Sequence, residues 1–138
     1  MDLSEKIDRV CDVYMEISDR VADEGIYPPE LLEPDRSVYF ISDIHGVTIS
    51  AGLQAWVYYH GQDEGQREVV VATQVFRNLG LLRQAEALER LLQIYRENDC
   101  AFPDDFDSDE YSAPIWDCEE EIFDALINHM GGLTQTGD

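Results

Sequence analysis

QREVVVATQVFRNLGLLRQAEALERLLQIYREN, residues 66–98, contains two amphipathic segments separated by Gly80. In the first segment, from Gln66 to Leu79, apolar residues recur at Val69, Ala72, Val75, Phe76 and Leu79. In the second, from Leu82 to Asn98, they recur at Ala85, Leu88, Leu91, Leu92 and Tyr95. Residues three and four apart share one face of a helix, so each segment predicts a helix with one buried face. The short connection predicts an antiparallel helical hairpin at the centre of an all-α fold.

A third amphipathic helix is predicted from Leu3 to Glu24. Asp2 precedes it as a cap, with Glu5 three residues later as the partner in a capping box. At about 100° per residue, one side collects the apolar residues Leu3, Ile7, Val10, Tyr14, Ile17 and Val21. The opposite side collects acids, among them Asp8, Asp12, Glu16, Asp19 and Asp23. Because carboxylates four residues apart repel each other, a helix selected for stability alone would place Lys or Arg between them.

The secondary structure of the chain between these two regions is less clearly indicated by its sequence. Gly25 ends the first helix, and Pro28-Pro29 begins a turn. The segment from Arg36 to about Val47 is open between strand and helix, because its apolar spacing is helical while its β-branched and aromatic residues favour a strand. Thr48 to Gly52 predicts a break, and Leu53 to His60 predicts a short apolar segment.

The residues after the hairpin are strongly acidic. Asp99 to Ile115 predicts an acidic loop, since acids and two prolines dominate it. Asp117 is then predicted to cap a last helix, with Glu120 as its box partner. This helix is expected to end at Gly131-Gly132 and to bury Ile122, Phe123, Leu126, Ile127 and Met130.

Length and composition bound the fold. The chain has 138 residues, which suits one domain with one core. A hydrophobic content of 44% is enough to build that core, so disorder is not expected. We therefore predict a single compact all-α domain of about five to seven helices across residues 1–133, with a frayed tail at 134–138.

Charge is the most unusual property of the sequence. Thirty acids against nine bases give a net charge of −21. Residues 1–40 hold 11 acids and 4 bases, residues 41–96 hold 6 and 5, and residues 97–138 hold 13 acids and no base. Such a field repels nucleic acid and anionic lipid and attracts basic proteins or cations. We therefore expect no direct binding of nucleic acid or membrane, and a basic protein as partner.

The candidate partner-binding residues are acids of the two most acidic regions. They are Asp8, Asp12, Glu16, Asp19 and Asp23 on the first helix, and Asp104, Asp105, Asp107, Asp109 and Glu110 in the acidic loop.

VYFISDIHG, residues 38–46, looks like the first metal-binding block of the calcineurin-like metallophosphoesterases. A two-metal site of that kind needs about six ligands for each ion, supplied by further GDxxD, GNH and His blocks. The chain has no GDxxD, and only His60 and His129 follow His45. Asp43 and His45 are therefore interpreted as ordinary residues of a helix.

Other catalytic and metal motifs are incomplete. Asp105, Asp107 and Asp109 fit positions 1, 3 and 5 of an EF-hand loop, but Glu110 and Trp116 stand where Gly and a bidentate Glu are required. There is no glycine-rich phosphate loop, no G-x-S-x-G and no H-E-x-x-H. We expect a protein that is not an enzyme and uses no metal or cofactor.

Cysteines and termini indicate the compartment. Cys11, Cys100 and Cys118 are an odd number without C-x-x-C spacing, so a disulfide framework is not expected. The first residues lack the apolar core of a signal peptide, and no apolar run approaches about 18 residues. A cytoplasmic protein is the expectation.

The stretch from Ser50 to Tyr95 resembles the bacterial DNA-mimic protein 19 family, small acidic all-helical proteins. Its counterparts here are Ala51-Gly52-Leu53, Trp56 to Tyr59, Phe76 to Gly80, and Ala85, Leu88 and Tyr95. Ala51 stands where the family usually has a first glycine, and Leu53 where it often has Phe. The resemblance implies that the segment before Gly52 is a helix. It also implies a DNA mimic that occupies the basic surface of a DNA-binding protein.

The sequence thus predicts a non-catalytic acidic domain that binds a basic, nucleic-acid-binding protein and so regulates transcription. The alternative is an immunity-type protein that neutralises a toxin enzyme through a partly apolar interface. Trp56, Tyr58 and Tyr59 are expected in the core, with a homodimer patch as the other option.

Overall fold

The computed structural model describes the backbone of residues 1–134 and the side chains of residues 1–131. The described residues contain no strand, and their seven α-helices are α1 (Leu3–Glu24), α2 (Asp35–Ala51), α3 (Leu53–His60), α4 (Arg67–Asn78), α5 (Leu82–Glu97), α6 (Asp109–Trp116) and α7 (Glu119–Thr134). The predicted all-α fold with five to seven helices is confirmed. Beyond Thr134, the tail predicted at 134–138 lies outside the described residues.

The hairpin of α4 and α5 turns on Gly80, which adopts the left-handed conformation at φ 76°. The N–H of Gly80 donates to the carbonyl of Arg77 at 3.0 Å, and that of Leu81 donates to the carbonyl of Phe76 at 2.9 Å. This pair of bonds closes the end of α4, and glycine adopts the required φ without a Cβ clash. The predicted apolar faces of both helices are buried, with Leu79 half-buried at the turn.

Helix α1 begins and ends as predicted. The Asp2 carboxylate accepts the N–H of Glu5 at 2.9 Å, and Gly25 ends the helix at φ 64°. The apolar side of α1 packs against α2 and α7, with Val10 and Ile17 buried. The acidic side therefore faces away from the protein.

Helix α2 resolves the open choice between strand and helix, and it is longer than expected. It runs for 17 residues, and the break predicted at Thr48 to Gly52 is wrong. The Thr48 hydroxyl donates to the Ile44 carbonyl at 2.7 Å, so this polar side chain is satisfied within the helix. The chain turns only at Gly52, where φ is 93° and a Cβ would lie 2.9 Å from Ser108 Oγ.

The predicted acidic loop is a loop only as far as Ser108, because α6 begins at Asp109. Acids in the first turn favour a helix N-terminus, and Ile115 on this helix is fully buried. The Ser112 hydroxyl accepts the N–H of Leu53 at 3.0 Å, which ties α6 to the start of α3. Burial and this tertiary bond stabilise a helix that the local sequence does not indicate.

The predicted boundaries of the last helix are also wrong. Asp117 does not cap α7; it follows α6, and its N–H donates to the Ala113 carbonyl at 2.9 Å. Helix α7 starts at Glu119 and continues through Gly131 and Gly132 to Thr134. Its apolar residues are buried as predicted, with Ile127 half-buried.

Helix α2 is central to the fold, because it packs against α1, α3, α4 and α6. Its residues Val38, Phe40, Ile41 and Ile44 are buried in the main core. Within the described part of the chain, no helix combines the length and hydropathy that crossing a membrane would need.

Candidate partner-binding surfaces

The outward side of α1 carries a row of carboxylates, here called the α1 acidic face. All five members are exposed, and they are Asp8, Asp12, Glu16, Asp19 and Asp23. At 1.5 Å per residue, the row spans about 22 Å along the helix. Partial burial is the main cause of the raised pKa of the Cys11 thiol, and the negative charges of Asp8 and Asp12 add to it.

Six of the nine lysine and arginine side chains pair with acids outside the α1 acidic face. Lys6 bridges to Asp124 on α7, and Arg20 to Asp35 on α2. On the hairpin, Arg77 pairs with Glu89, Arg90 with Glu86, and Arg83 lies 3.7 Å from Glu121. Arg9 is exposed on α1, and no ion pair joins it to a described acid. Within residues 1–131, the α1 acidic face is therefore not neutralised by a salt bridge.

The second group of candidate acids, here called the acidic segment, lies at residues 104–110. Its members Asp104, Asp105, Asp107, Asp109 and Glu110 are all exposed. Asp107 accepts the N–H of Asp109 at 3.0 Å, just before α6 begins. Glu110 differs from the others, because it lines a shallow groove of about 220 Å³ with Arg83 and Arg90.

The structure divides the ten candidates between two supports. The α1 acidic face is carried by a helix that packs on α2 and α7. The acidic segment is carried by a chain whose Phe102 packs on Tyr95 of α5, at 5.7 Å between ring centroids. Two acidic surfaces result, each with its own neighbours.

The motif at residues 38–46 has a structural role on α2. The Asp43 carboxylate accepts hydrogen bonds from Tyr14 Oη at 3.1 Å and Trp56 Nε1 at 2.8 Å. His60 Nε2 lies 3.4 Å from Asp43, and His60 Nδ1 lies 3.4 Å from Glu68. Asp43 thereby joins α1, α2, α3 and, through His60, α4.

This network shifts the pKa values of its members. Burial lowers the pKa of His60, but its hydrogen bonds to Asp43 and Glu68 outweigh burial and raise the pKa to about 9. Burial raises the pKa of Asp43, but hydrogen bonds from His60 and Trp56 outweigh it, so that pKa is lowered. His60 is therefore an imidazolium at neutral pH, balanced by two carboxylates.

The other two histidines make similar links. His45 Nε2 lies 2.7 Å from Glu119 on α7, and its ring packs edge-on against Phe123. His129 Nε2 lies 3.1 Å from Glu33, just before α2. Both pairs hold α7 against the rest of the fold. Among the described residues, no group of three or more His, Cys, Asp or Glu side chains is arranged to hold a metal ion.

The sequence did not predict this network, although one local signal was present. Trp56 and His60 are four residues apart on α3, and their rings stack at 4.2 Å. The partners Tyr14, Asp43 and Glu68 lie on three other helices, so the contacts depend on tertiary packing.

The aromatic residues of α3 divide between core and surface. Trp56 is fully buried, as predicted, whereas Tyr58 and Tyr59 are 42% and 71% exposed. Two residues expected in the core thus lie on the outside.

In comparisons with protein-family models, curated proteins and solved structures, nothing matches this chain. The resemblance to the DNA-mimic protein 19 family stays a prediction.

Proposed function

We propose that this protein is a non-catalytic acidic domain that binds the basic surface of a nucleic-acid-binding protein, as a DNA mimic does. The observation that carries the proposal is the state of the α1 acidic face. Its five carboxylates are exposed, and the salt bridges of the described residues use other acids. An array of charge held on a rigid helix and left unpaired is available to a cationic partner.

The spacing of the array supports mimicry of a nucleic-acid strand. Five carboxylates over about 22 Å give one charge per about 5.6 Å of helix axis. One strand of duplex DNA presents one phosphate per about 3.4 Å. The array is coarser than DNA but falls within reach of the same lysine and arginine side chains.

A pull-down from a lysate of the native host tests the proposal. The immobilised protein is expected to capture a DNA-binding protein at 50 mM salt and to lose it at 500 mM, because exposed charges are screened at high salt. Added duplex DNA should release that protein in proportion to its concentration, since both ligands compete for one basic surface. Captured proteins are identified by mass spectrometry.

Two variants of equal net charge localise the binding. The first neutralises the α1 acidic face through Asp8→Asn, Asp12→Asn, Glu16→Gln, Asp19→Asn and Asp23→Asn. The second neutralises five exposed acids elsewhere through Glu30→Gln, Glu64→Gln, Glu97→Gln, Asp117→Asn and Glu120→Gln. We expect only the first to lose the partner.

Capture of an enzyme that stays bound at 500 mM salt and is not released by DNA would contradict the proposal. That result would favour the immunity-type alternative, whose interface is partly apolar.

A further inference from the structure

A continuous row of aromatic side chains, here called the aromatic row, runs from α3 to α6. Its members in order are Tyr59, Tyr58, Tyr95, Phe102, Phe106 and Tyr111. Neighbouring ring centroids are 5.1 to 6.4 Å apart, the range in which aromatic pairs attract each other. The row fixes the acidic segment against α5 and α3.

The aromatic row is buried in its middle and open at the α3 end. Tyr95 is 1% exposed, whereas Tyr58 is 42% and Tyr59 is 71% exposed. Tyr59 contacts Tyr58 edge-on, with ring planes at 78° and centroids 5.8 Å apart. Tyr59 thus presents an open ring to a partner side chain, and Tyr58 links it to the buried Tyr95.

In the sequence, the acids of the acidic segment alternate with two rings of the aromatic row. Asp104 and Asp105 lie between Phe102 and Phe106 in the sequence, and Asp107 follows directly. All three acids are exposed, and no described salt bridge involves them. No lysine or arginine follows Arg96 in the sequence. The acidic segment thus combines aromatic rings with negative charge, and of its acids Glu110 lies in a groove with Arg83 and Arg90.

We propose that the aromatic row and the acidic segment together bind an arginine-containing segment of a basic partner protein. Arginine fits both components, since its planar guanidinium stacks on an aromatic ring and its N–H groups pair with carboxylates. Lysine supplies a charge of the same sign without the planar group. This inference rests on the proposed function and specifies the chemistry of the partner.

Charge argues against a second copy of this chain as the occupant. Each chain carries −21, so pairing two copies through this surface would bring two acidic segments together. A basic segment, in contrast, is attracted by the negative charge of this surface.

Two matched peptides test the inference, one with four Gly-Arg repeats and one with four Gly-Lys repeats. Their affinities are measured by fluorescence anisotropy at 100 mM salt. We expect the arginine peptide to bind about two- to threefold more tightly than the lysine peptide, because the planar guanidinium adds stacking to the cation–π contact that a lysine ammonium also makes. Tyr59→Ala should abolish that difference, and Tyr59→Phe should keep it.

The control variant is Leu32→Ala, which removes an apolar side chain that is 82% exposed just before α2. It should leave both affinities unchanged. Thermal unfolding of each variant confirms that the fold is retained, since both positions are exposed.

Three outcomes would overturn the inference. In the first, both peptides bind equally and Tyr59→Ala changes neither, while neutralising the α1 acidic face abolishes binding; the proposed function then stands without this site. In the second, neither peptide binds, and the pull-down decides the proposed function separately. In the third, sedimentation shows a dimer that Tyr59→Ala converts to a monomer, which assigns the surface to a second copy.

Discussion

The α1 acidic face and the acidic segment carry five acids each, but the two surfaces are built differently. The α1 acidic face stands on a long helix, with carboxylates at a regular pitch and the apolar side turned inward. The acidic segment is irregular until α6 begins at Asp109, and aromatic rings support it from beneath. The first surface is an array of charge alone, whereas the second combines charge with stacking groups.

The two surfaces are therefore suited to different steps of binding one partner. Charge at a distance acts before contact, so the α1 acidic face is suited to accelerating encounter with a basic partner. Stacking and short hydrogen bonds act only at contact, so the acidic segment is suited to slowing dissociation. Variants at the two surfaces should therefore change association and dissociation rates separately.

The largest expected effect concerns the Asp43 network, which supports the α1 acidic face and, among the described residues, has no counterpart beneath the acidic segment. Asp43→Ala removes the acceptor of Tyr14 on α1 and of Trp56 and His60 on α3. It leaves a half-buried imidazolium with Glu68 alone, so we expect unfolding to become easier by about 3 kcal/mol. Urea denaturation measures this loss. The matched variant Asp12→Ala, at an exposed position, should change stability by less than about 0.5 kcal/mol, and equal losses in both would contradict the assigned role.

The next effect is the pH dependence of the same support. The pKa of His60 is raised to about 9 in the folded protein, against about 6.5 when unfolded. Its stabilisation is therefore fully present below about pH 6.5 and is lost as pH rises through 9. Between pH 7 and pH 9.5 we expect the free energy of unfolding to fall by about 2 kcal/mol.

The variant His60→Gln is the control for this prediction. Its stability should be lower at pH 7 and nearly flat up to pH 9.5. If the free energy of unfolding of this variant fell by the same amount between pH 7 and pH 9.5, other groups would be the cause of the pH dependence.

A smaller effect should lower the local stability of α1 and leave that of the acidic segment unchanged. Asp2→Ala removes the carboxylate that caps α1, and we expect a loss of about 1 kcal/mol. Hydrogen exchange should show the loss as faster opening of the first turns of α1, with the acidic segment unchanged. Asp19→Ala, which alters charge without touching the cap, should leave the exchange of α1 nearly unchanged.

The smallest effect concerns the turn that leads into the acidic segment. Cys100 adopts the left-handed conformation at φ 60°, which is unfavourable for a residue with a Cβ. Cys100→Gly should therefore stabilise the protein by about 0.5 kcal/mol. Cys11→Gly, in the middle of α1, should instead destabilise it by about 1 kcal/mol. Thermal unfolding measures the stability of both variants. A loss of stability in both would contradict the claim that the left-handed conformation at Cys100 is unfavourable.

The sequence predicts best the elements whose signals are local. The cap at Asp2, the spacing of α1, and the glycine turn of the hairpin each depend on residues within one or two turns of a helix. Those predictions are confirmed.

The errors occur where distant contacts decide the structure. Helix α6 depends on the burial of Ile115 and on the bond from Leu53 to Ser112, and α2 runs past Thr48, whose side chain is buried in the fold. The links between histidines and carboxylates join residues up to 96 positions apart. For the surfaces, the sequence supplies the acids of each face. The sequence does not predict that Tyr59 is exposed, because its exposure depends on how α3 packs.

The most direct test measures how tightly the captured DNA-binding protein holds this chain at 50 and 500 mM salt, for the wild type and the variant with a neutralised α1 acidic face. The account predicts that wild-type affinity falls by more than about tenfold at high salt, as screening removes the attraction between exposed charges. The neutralised variant should bind weakly at 50 mM salt and change little at 500 mM. Similar wild-type affinity at both salt concentrations, or a neutralised variant that binds like the wild type, would contradict the claim that fixed, unpaired carboxylates on α1 bind the partner.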